Sequence, residues 1–326
     1  IKRGAIVTLS SHMPNFSQVQ PASSKGAATY ARYDFSGYTP NVLSGDTANE
    51  ILPGGKYHAV FTAYLDMIAD YAKRVKGAVL FRPFHENTGS WFWWGKAFCD
   101  AETYKNIYRY TVEYLRDEKG VHNLLYIYGP GSEAETQADY AERYPGDSWV
   151  DMVGFDMYNT APDPNSGWMA SFEKELALVS QFAQDHGKLV AVTETGAANA
   201  TVKGDSQTAL LRTGNKDLDW YRRIQEIVSK SPASYLLVWA NFGQSNGFYT
   251  PYVIRTSGSR LYGHEMMDHF IDYYNDSRSI FASDQKEVLT KIAGVTAKAA
   301  SAQAEGYITA PVSGRFEFPV EAGSGT

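Results

Sequence analysis

Six short apolar runs, each followed by a longer amphipathic one, constrain this chain more than any other feature. The runs lie at 5–9, 78–84, 124–128, 150–156, 189–194 and 235–239. Helical spacing follows at 57–75, 101–118, 133–143, 171–184, 217–230 and 265–274. In the first of these, Val60, Ala63, Tyr64, Met67, Ile68 and Tyr71 share one face. Nearly continuous apolar strands alternating with amphipathic helices predict a parallel sheet covered by helices. No glycine-rich phosphate loop follows the first strand, which argues against a dinucleotide fold. Functional residue types gather where the runs end, at His12, Glu86, Asp156, Glu194 and Trp239. A (β/α)8 barrel builds its site at that face. The predicted class is therefore α/β, a (β/α)8 TIM barrel with six legible strands, the first two β-α units being expected ahead of Ile1.

Length and composition narrow the alternatives. With 326 residues, 44% of them hydrophobic, the chain suits one large domain plus a fragment. The net charge of -6 leaves no basic excess for a phosphate backbone, so no nucleic-acid partner is expected. No apolar stretch reaches the roughly 18 residues a membrane span needs. Cys99 is the only cysteine, so no internal disulfide forms. The opening residues read as a strand rather than a signal peptide. A polar, Gly- and Ser-rich loop from about His12 to Gly55 is long enough to suggest a functional loop. The catalytic barrel is assigned to 1–285, an Ala/Ser-rich linker to 286–306, and the short β-type stump at 307–326 to the start of a β-sandwich module. Aromatics make up 14% of the chain, with 23 Tyr and 7 Trp. Their flat faces and polar edges match sugar rings, although a Tyr-rich core would have the same composition.

Two carboxylates carry the chemistry. Glu86 closes the segment Phe81-Arg82-Pro83-Phe84-His85-Glu86, in which strand alternation would aim Arg82, Phe84 and Glu86 the same way. A buried ion pair of Arg82 with a carboxylate is the ordinary alternative. Glu194 ends a second apolar strand, 108 residues further on. Paired carboxylates on one barrel face suit glycoside hydrolysis, one protonating the leaving oxygen and the other attacking the anomeric carbon. Their environments must push their pKa values apart. Glu86 is expected to be raised by desolvation near Trp91, and Glu194 to be kept ionised by Arg82 or by a Tyr158 hydroxyl. Asp156 and Tyr158 share a strand face; an ordinary strand-end tyrosine is the competing reading. Trp239 fits either a sugar floor or barrel-top packing. Of Trp91, Trp93 and Trp94, Trp91 is expected to line the cleft and at least one other to be core. His12 and His85 offer neutral imidazoles to sugar hydroxyls, though a lone histidine such as His12 more often serves structure. His264 and His269 lie five apart rather than four, so they do not make a zinc motif. No serine nucleophile elbow and no Cys-x-x-Cys pair occur; separately, no metal and no cofactor is expected.

At these residues the sequence resembles glycoside hydrolase family 26, whose best-known members are β-mannanases. The block Arg82-Pro83-Phe84-His85-Glu86-Asn87-Thr88-Gly89-Ser90-Trp91-Phe92-Trp93-Trp94-Gly95 carries most of the resemblance. Ile6 to His12, with Ser11 where the family often has Trp, Gly154-Phe155-Asp156-Met157-Tyr158 and Thr193-Glu194-Thr195-Gly196 carry the rest. The resemblance spans about residues 1 to 280. It implies a retaining (β/α)8 enzyme with Glu86 as acid/base and Glu194 as nucleophile. It also implies that His12, His85, Trp91, Tyr158 and Trp239 surround the mannose to be cleaved; the strand faces add Arg82 and Asp156 to the expected substrate-binding residues. The implied partner is β-1,4-mannan, glucomannan or galactomannan, handled outside the cell by a secreted monomer that is fused to a further module. A β-glycanase for mixed-linkage β-glucan or β-1,3-xylan, or a non-catalytic carbohydrate-binding protein, are the rivals.

Overall fold

The computed structural model describes residues 6–23, 29–198, 209–211, 213–241, 248–257 and 260–281. The linker at 286–306 and the β-sandwich start at 307–326 lie outside them. The described residues form two compact units, one of 6–155 with 182–188, the other of 156–181 with the residues from 189 onward.

The first unit opens with β1 (Val7–Ser10). The long loop after it holds a small antiparallel sheet, β2 (Gln20–Pro21), β3 (Thr29–Tyr30) and β4 (Tyr33–Asp34), and a short helix α1 (Thr47–Glu50). Then come α2 (His58–Arg74), β5 (Val79–Arg82), α3 (Ala101–Glu113), β6 (Leu124–Tyr128), α4 (Gln137–Ala141) and the first half of β7 (Met152–Asn159). The strands β1, β5, β6 and β7 pair in parallel in that order, with Ser10 beside Arg82, Phe81 beside Tyr126 and Tyr128 beside Val153. Helix α2 forms as expected but buries a face turned from the one read in the sequence, leaving Tyr71 exposed and sharing only Ala63 and Ile68 with it. Phe61, Leu65, Ile68 and Ala72 recur at helical spacing and are all buried. Each of the large ones contributes about 1.5–3 kcal/mol by leaving water. Tyr64 on the same helix bonds the Ser11 hydroxyl at 2.7 Å and so fixes the chain just before His12.

The second unit takes the rest of β7, most of α5 (Trp168–His186), β8 (Leu189–Ala197), α6 (Trp220–Val228), β9 (Leu236–Val238), the hairpin β10 (Val253–Ser257) and β11 (Arg260–Gly263), and α7 (Met267–Asn275). Strands β8 and β9 are parallel, with Val192 beside Leu236 and Thr195 beside Val238. The fold is α/β, with alternating parallel strands and helices.

Several boundaries differ from the sequence reading. The strand at 78–84 stops at Arg82, because Pro83 has no amide hydrogen to continue the ladder. The helix expected at 133–143 shrinks to α4, where a capping box between Thr136 and Asp139 sets the start. Strands β7 and β8 run past Asp156 and Glu194 to Asn159 and Ala197, so both acids lie within strands. Among the described residues, no helix is long and apolar enough to cross a membrane.

Candidate active site

In the first unit the structure gathers His12, Arg82, His85, Glu86 and Trp91. The arrangement depends on an abrupt turn after β5. Phe84 and Glu86 both adopt left-handed backbone, with φ of 49° and 50°. That costs a non-glycine residue about 1–3 kcal/mol and persists only where neighbours enforce it. Here they do. The Glu86 amide donates to the Gly129 carbonyl at 2.8 Å. The Phe84 carbonyl accepts from the Tyr104 hydroxyl at 3.0 Å, and the His85 carbonyl from the Trp94 indole at 2.7 Å.

A buried cation completes this support. Arg143 donates to Asn87 Oδ1 at 3.1 Å, to the Cys99 carbonyl at 2.8 Å and to the Trp94 carbonyl at 3.2 Å. Its guanidinium also lies over the Tyr104 ring. Asn87 in turn donates to the Tyr104 hydroxyl. Neutral acceptors and an aromatic face thus hold a charge that is costly to bury, and every one of them belongs to the Glu86 loop or the helix behind it. The sequence reading missed this network. Arg143 has no motif of its own, although Asn87 stands in the quoted block.

Trp91 lies against Glu86, its indole donating to Oε2 at 2.6 Å. Gly89 makes this possible: a Cβ there would overlap the Trp91 ring, and one at Gly95 would overlap the Gly89 carbonyl. Trp91 is 41% exposed while Trp93 and Trp94 are both buried, where at least one was expected to be core. His12 and His85 meet edge to face with centroids 4.6 Å apart, and Phe92 packs on both. Burial, reinforced by the charge of Arg82, lowers the His12 pKa to about 4. The same two causes, with His12 added, hold His85 well below the usual imidazole range. Both rings are therefore neutral near pH 7, and His85 Nδ1 is buried with no hydrogen-bond partner.

The depressed histidines predict an acid-side loss of stability. Below about pH 6.5 the unfolded chain protonates these rings while the folded chain does not, so stability falls as pH drops from about 6.5 toward 4. For His12, allowing for partial solvent screening, the effect is on the order of 1–2 kcal/mol. Urea unfolding of the wild type and of His12→Gln at pH 7 and pH 4.5 tests it. The variant loses less stability on acidification, and identical losses would refute the assignment.

In the second unit the structure gathers Asp156, Tyr158, Glu194 and Trp239. Glu194 is buried, and the Tyr158 hydroxyl donates to its Oε2 at 2.6 Å. This is the tyrosine alternative raised from sequence, and such a bond stabilises the ionised carboxylate. Asp156 is buried and accepts from the Thr193 hydroxyl at 2.6 Å. The Trp239 amide donates to the Thr195 carbonyl at 2.9 Å, fixing the chain after β9. Tyr249, which the sequence reading did not single out, packs its ring 5.8 Å from that of Tyr158. Gly196 leaves room for it, since a Cβ there would overlap the Tyr249 ring. Asn241 holds the Tyr249 and Thr250 amides, so the ring bracing Tyr158 is itself braced.

Comparison with known protein families matches residues 1–238 to glycosyl hydrolase family 26. The chain belongs to this family. It is 40% identical over 261 residues to a mannan endo-1,4-beta-mannosidase from Bifidobacterium adolescentis, covering 77% of this chain. It spans 24% of that relative's length. Among solved structures, the catalytic domain of a GH26 endo-beta-1,4-mannanase from Bacillus sp. JAMB-750 superposes with a TM-score of 0.71 at 35% identity, covering 84% of this chain and 66% of that one. A GH26 beta-mannanase from Bacteroides ovatus gives a TM-score of 0.65 at 30% identity, covering 84% and 69%. The family 26 fold is the (β/α)8 barrel, and six of its parallel strands lie among the described residues.

Proposed function

We propose that the chain hydrolyses internal β-1,4-mannosidic bonds of mannan, glucomannan or galactomannan by double displacement. Glu194 is the nucleophile. The Tyr158 hydroxyl keeps it charged and turned for attack on the anomeric carbon. Glu86 is the acid that protonates the departing oxygen and then the base that activates water. Trp91 fixes the plane of its carboxyl. His85, kept neutral by burial and by the charge of Arg82, takes the axial 2-hydroxyl that distinguishes mannose from glucose. His12, Arg82, Asp156 and Trp239 complete the lining of the site. A polymeric substrate places the work outside the cell, which suits a secreted enzyme.

The observation that carries the reading is the 40% identity to a mannan endo-1,4-beta-mannosidase. The grip of one aromatic donor on each carboxyl supports it in chemical detail. Reducing-end release from mannan, glucomannan, lichenan and β-1,3-xylan tests the substrate. NMR of the first product tests the mechanism. Mannan and glucomannan are expected to be cleaved, with the β-anomer appearing first. Release from lichenan or xylan alone, binding without release, or an initial α-anomer would each overturn the reading.

A further inference from the structure

Tyr38 stands in the long loop after β1 and is 69% exposed, an unusual state for so large a ring. An exposed tyrosine on a mobile loop would mean little. This loop is fastened immediately after the ring. The Thr39 hydroxyl accepts from the Asn15 amide at 3.0 Å, and the Pro40 carbonyl from the Trp93 amide at 3.1 Å. The Asn41 side chain donates to the Trp91 carbonyl at 2.8 Å. Asn15, fully buried, also donates to the Val42 and Ser44 carbonyls and accepts from Ser17 and Thr47. The loop is thus tied to the segment that carries Trp91.

The ring is held beside the histidine pair that precedes the candidate acid. Its centroid lies 5.9 Å from that of His12. His12 in turn packs on His85, the residue before the acid, with centroids 4.6 Å apart, and partial burial with the charge of Glu86 raises the phenol's pKa. Trp91, also exposed, bonds the same carboxyl. The exposed Tyr38 and Trp91 rings thus stand on two tied segments, one packed by His12 and the other bonded to Glu86, while His85 and Phe92 beside them are buried. Double displacement puts the nucleophile on the sugar that stays and the acid on the oxygen that leaves. Rings crowding the acid's exposed side therefore meet the departing sugar. A pyranose offers an apolar CH face to such a ring, and a tyrosine in a fixed loop loses little entropy in receiving it.

We propose that Tyr38 is the stacking platform of the leaving-side subsite, taking the apolar face of the mannosyl unit that departs after protonation by Glu86. The inference rests on the mannanase reading and adds to it a residue that sets affinity for the leaving side of the chain. It is tested with Tyr38→Ala and Tyr38→Phe on two substrates. One is mannopentaose; the other is β-mannobiosyl fluoride, whose leaving group is a single atom and leaves the leaving-side sugar subsites empty. Tyr38→Ala is expected to lower kcat/KM on mannopentaose about tenfold, the scale of one aromatic contact, and on the fluoride less than about twofold. Transfer of the mannobiosyl group to added mannotriose falls in parallel. Tyr38→Phe keeps the ring and most of the activity on both. Equal losses on both substrates, or no loss on either, overturn the platform while leaving the mannanase reading intact. A wild type that cleaves neither substrate overturns both.

Discussion

Glu194→Ala is expected to lower kcat on mannan by at least about 10⁴-fold, the scale of losing a covalent nucleophile. The size follows from its setting. The carboxylate is buried in β8 and held by the Tyr158 hydroxyl at 2.6 Å, so solvent does not readily replace it. Alanine leaves a gap where the carboxylate stood, and azide is small enough to enter it and attack in its place. With an activated aryl β-mannobioside, azide then restores turnover. A single displacement inverts the centre, so the product is the α-azide. Tyr158→Phe keeps the nucleophile and removes only its donor. A hydrogen bond to a charged group contributes about 1.5–3 kcal/mol, so the expected loss is roughly 10- to 150-fold. Near-wild-type turnover by Glu194→Ala, or an azide product of β configuration, would remove Glu194 from the nucleophile's role.

The strands and helices were legible because burial demands their periodicity. Leu124 to Tyr128 is apolar at nearly every position because it is covered on both faces, and it forms the strand expected of it. The path of the chain at Glu86 was not legible. Alternation along an extended strand would align Arg82, Phe84 and Glu86, yet the strand ends at Arg82 and two left-handed residues redirect the chain. No local propensity favours that conformation in Phe or Glu. It is imposed from a distance by Tyr104, Trp94, Gly129 and the cation of Arg143. Arg143 itself resembles any basic residue near a helix end. Its role appears only when the chain brings Asn87 and Cys99 to it. Tyr38 was hidden for a related reason: a ring in an irregular polar loop has no period to read. The Arg82 to Gly95 block was informative because Gly89 and Gly95 permit backbone and ring approaches that a Cβ would prevent.

Glu86→Ala is expected to separate two substrates that Glu194→Ala inactivates alike. On mannan the leaving group is a sugar hydroxyl, which departs slowly without a proton. Losing the acid should cost about 10²–10⁴-fold in kcat. An aryl β-mannobioside with an acidic phenol needs no such help, so the first displacement proceeds nearly as in the wild type. The second displacement still lacks its base. Phenol should therefore appear in a burst equal to the enzyme concentration, followed by slow turnover as the mannobiosyl-enzyme awaits water. Azide needs no deprotonation and should accelerate that second step. It attacks the covalent intermediate, so two inversions have occurred and the product is the β-azide, opposite to that of Glu194→Ala. The Trp91 indole, left without its acceptor, makes some rearrangement of the loop unavoidable. A collapsed loop would slow the aryl burst as much as mannan hydrolysis, whereas a missing acid/base spares the burst. Equal losses on the two substrates, or an azide adduct of α configuration, would exclude Glu86 as the acid/base.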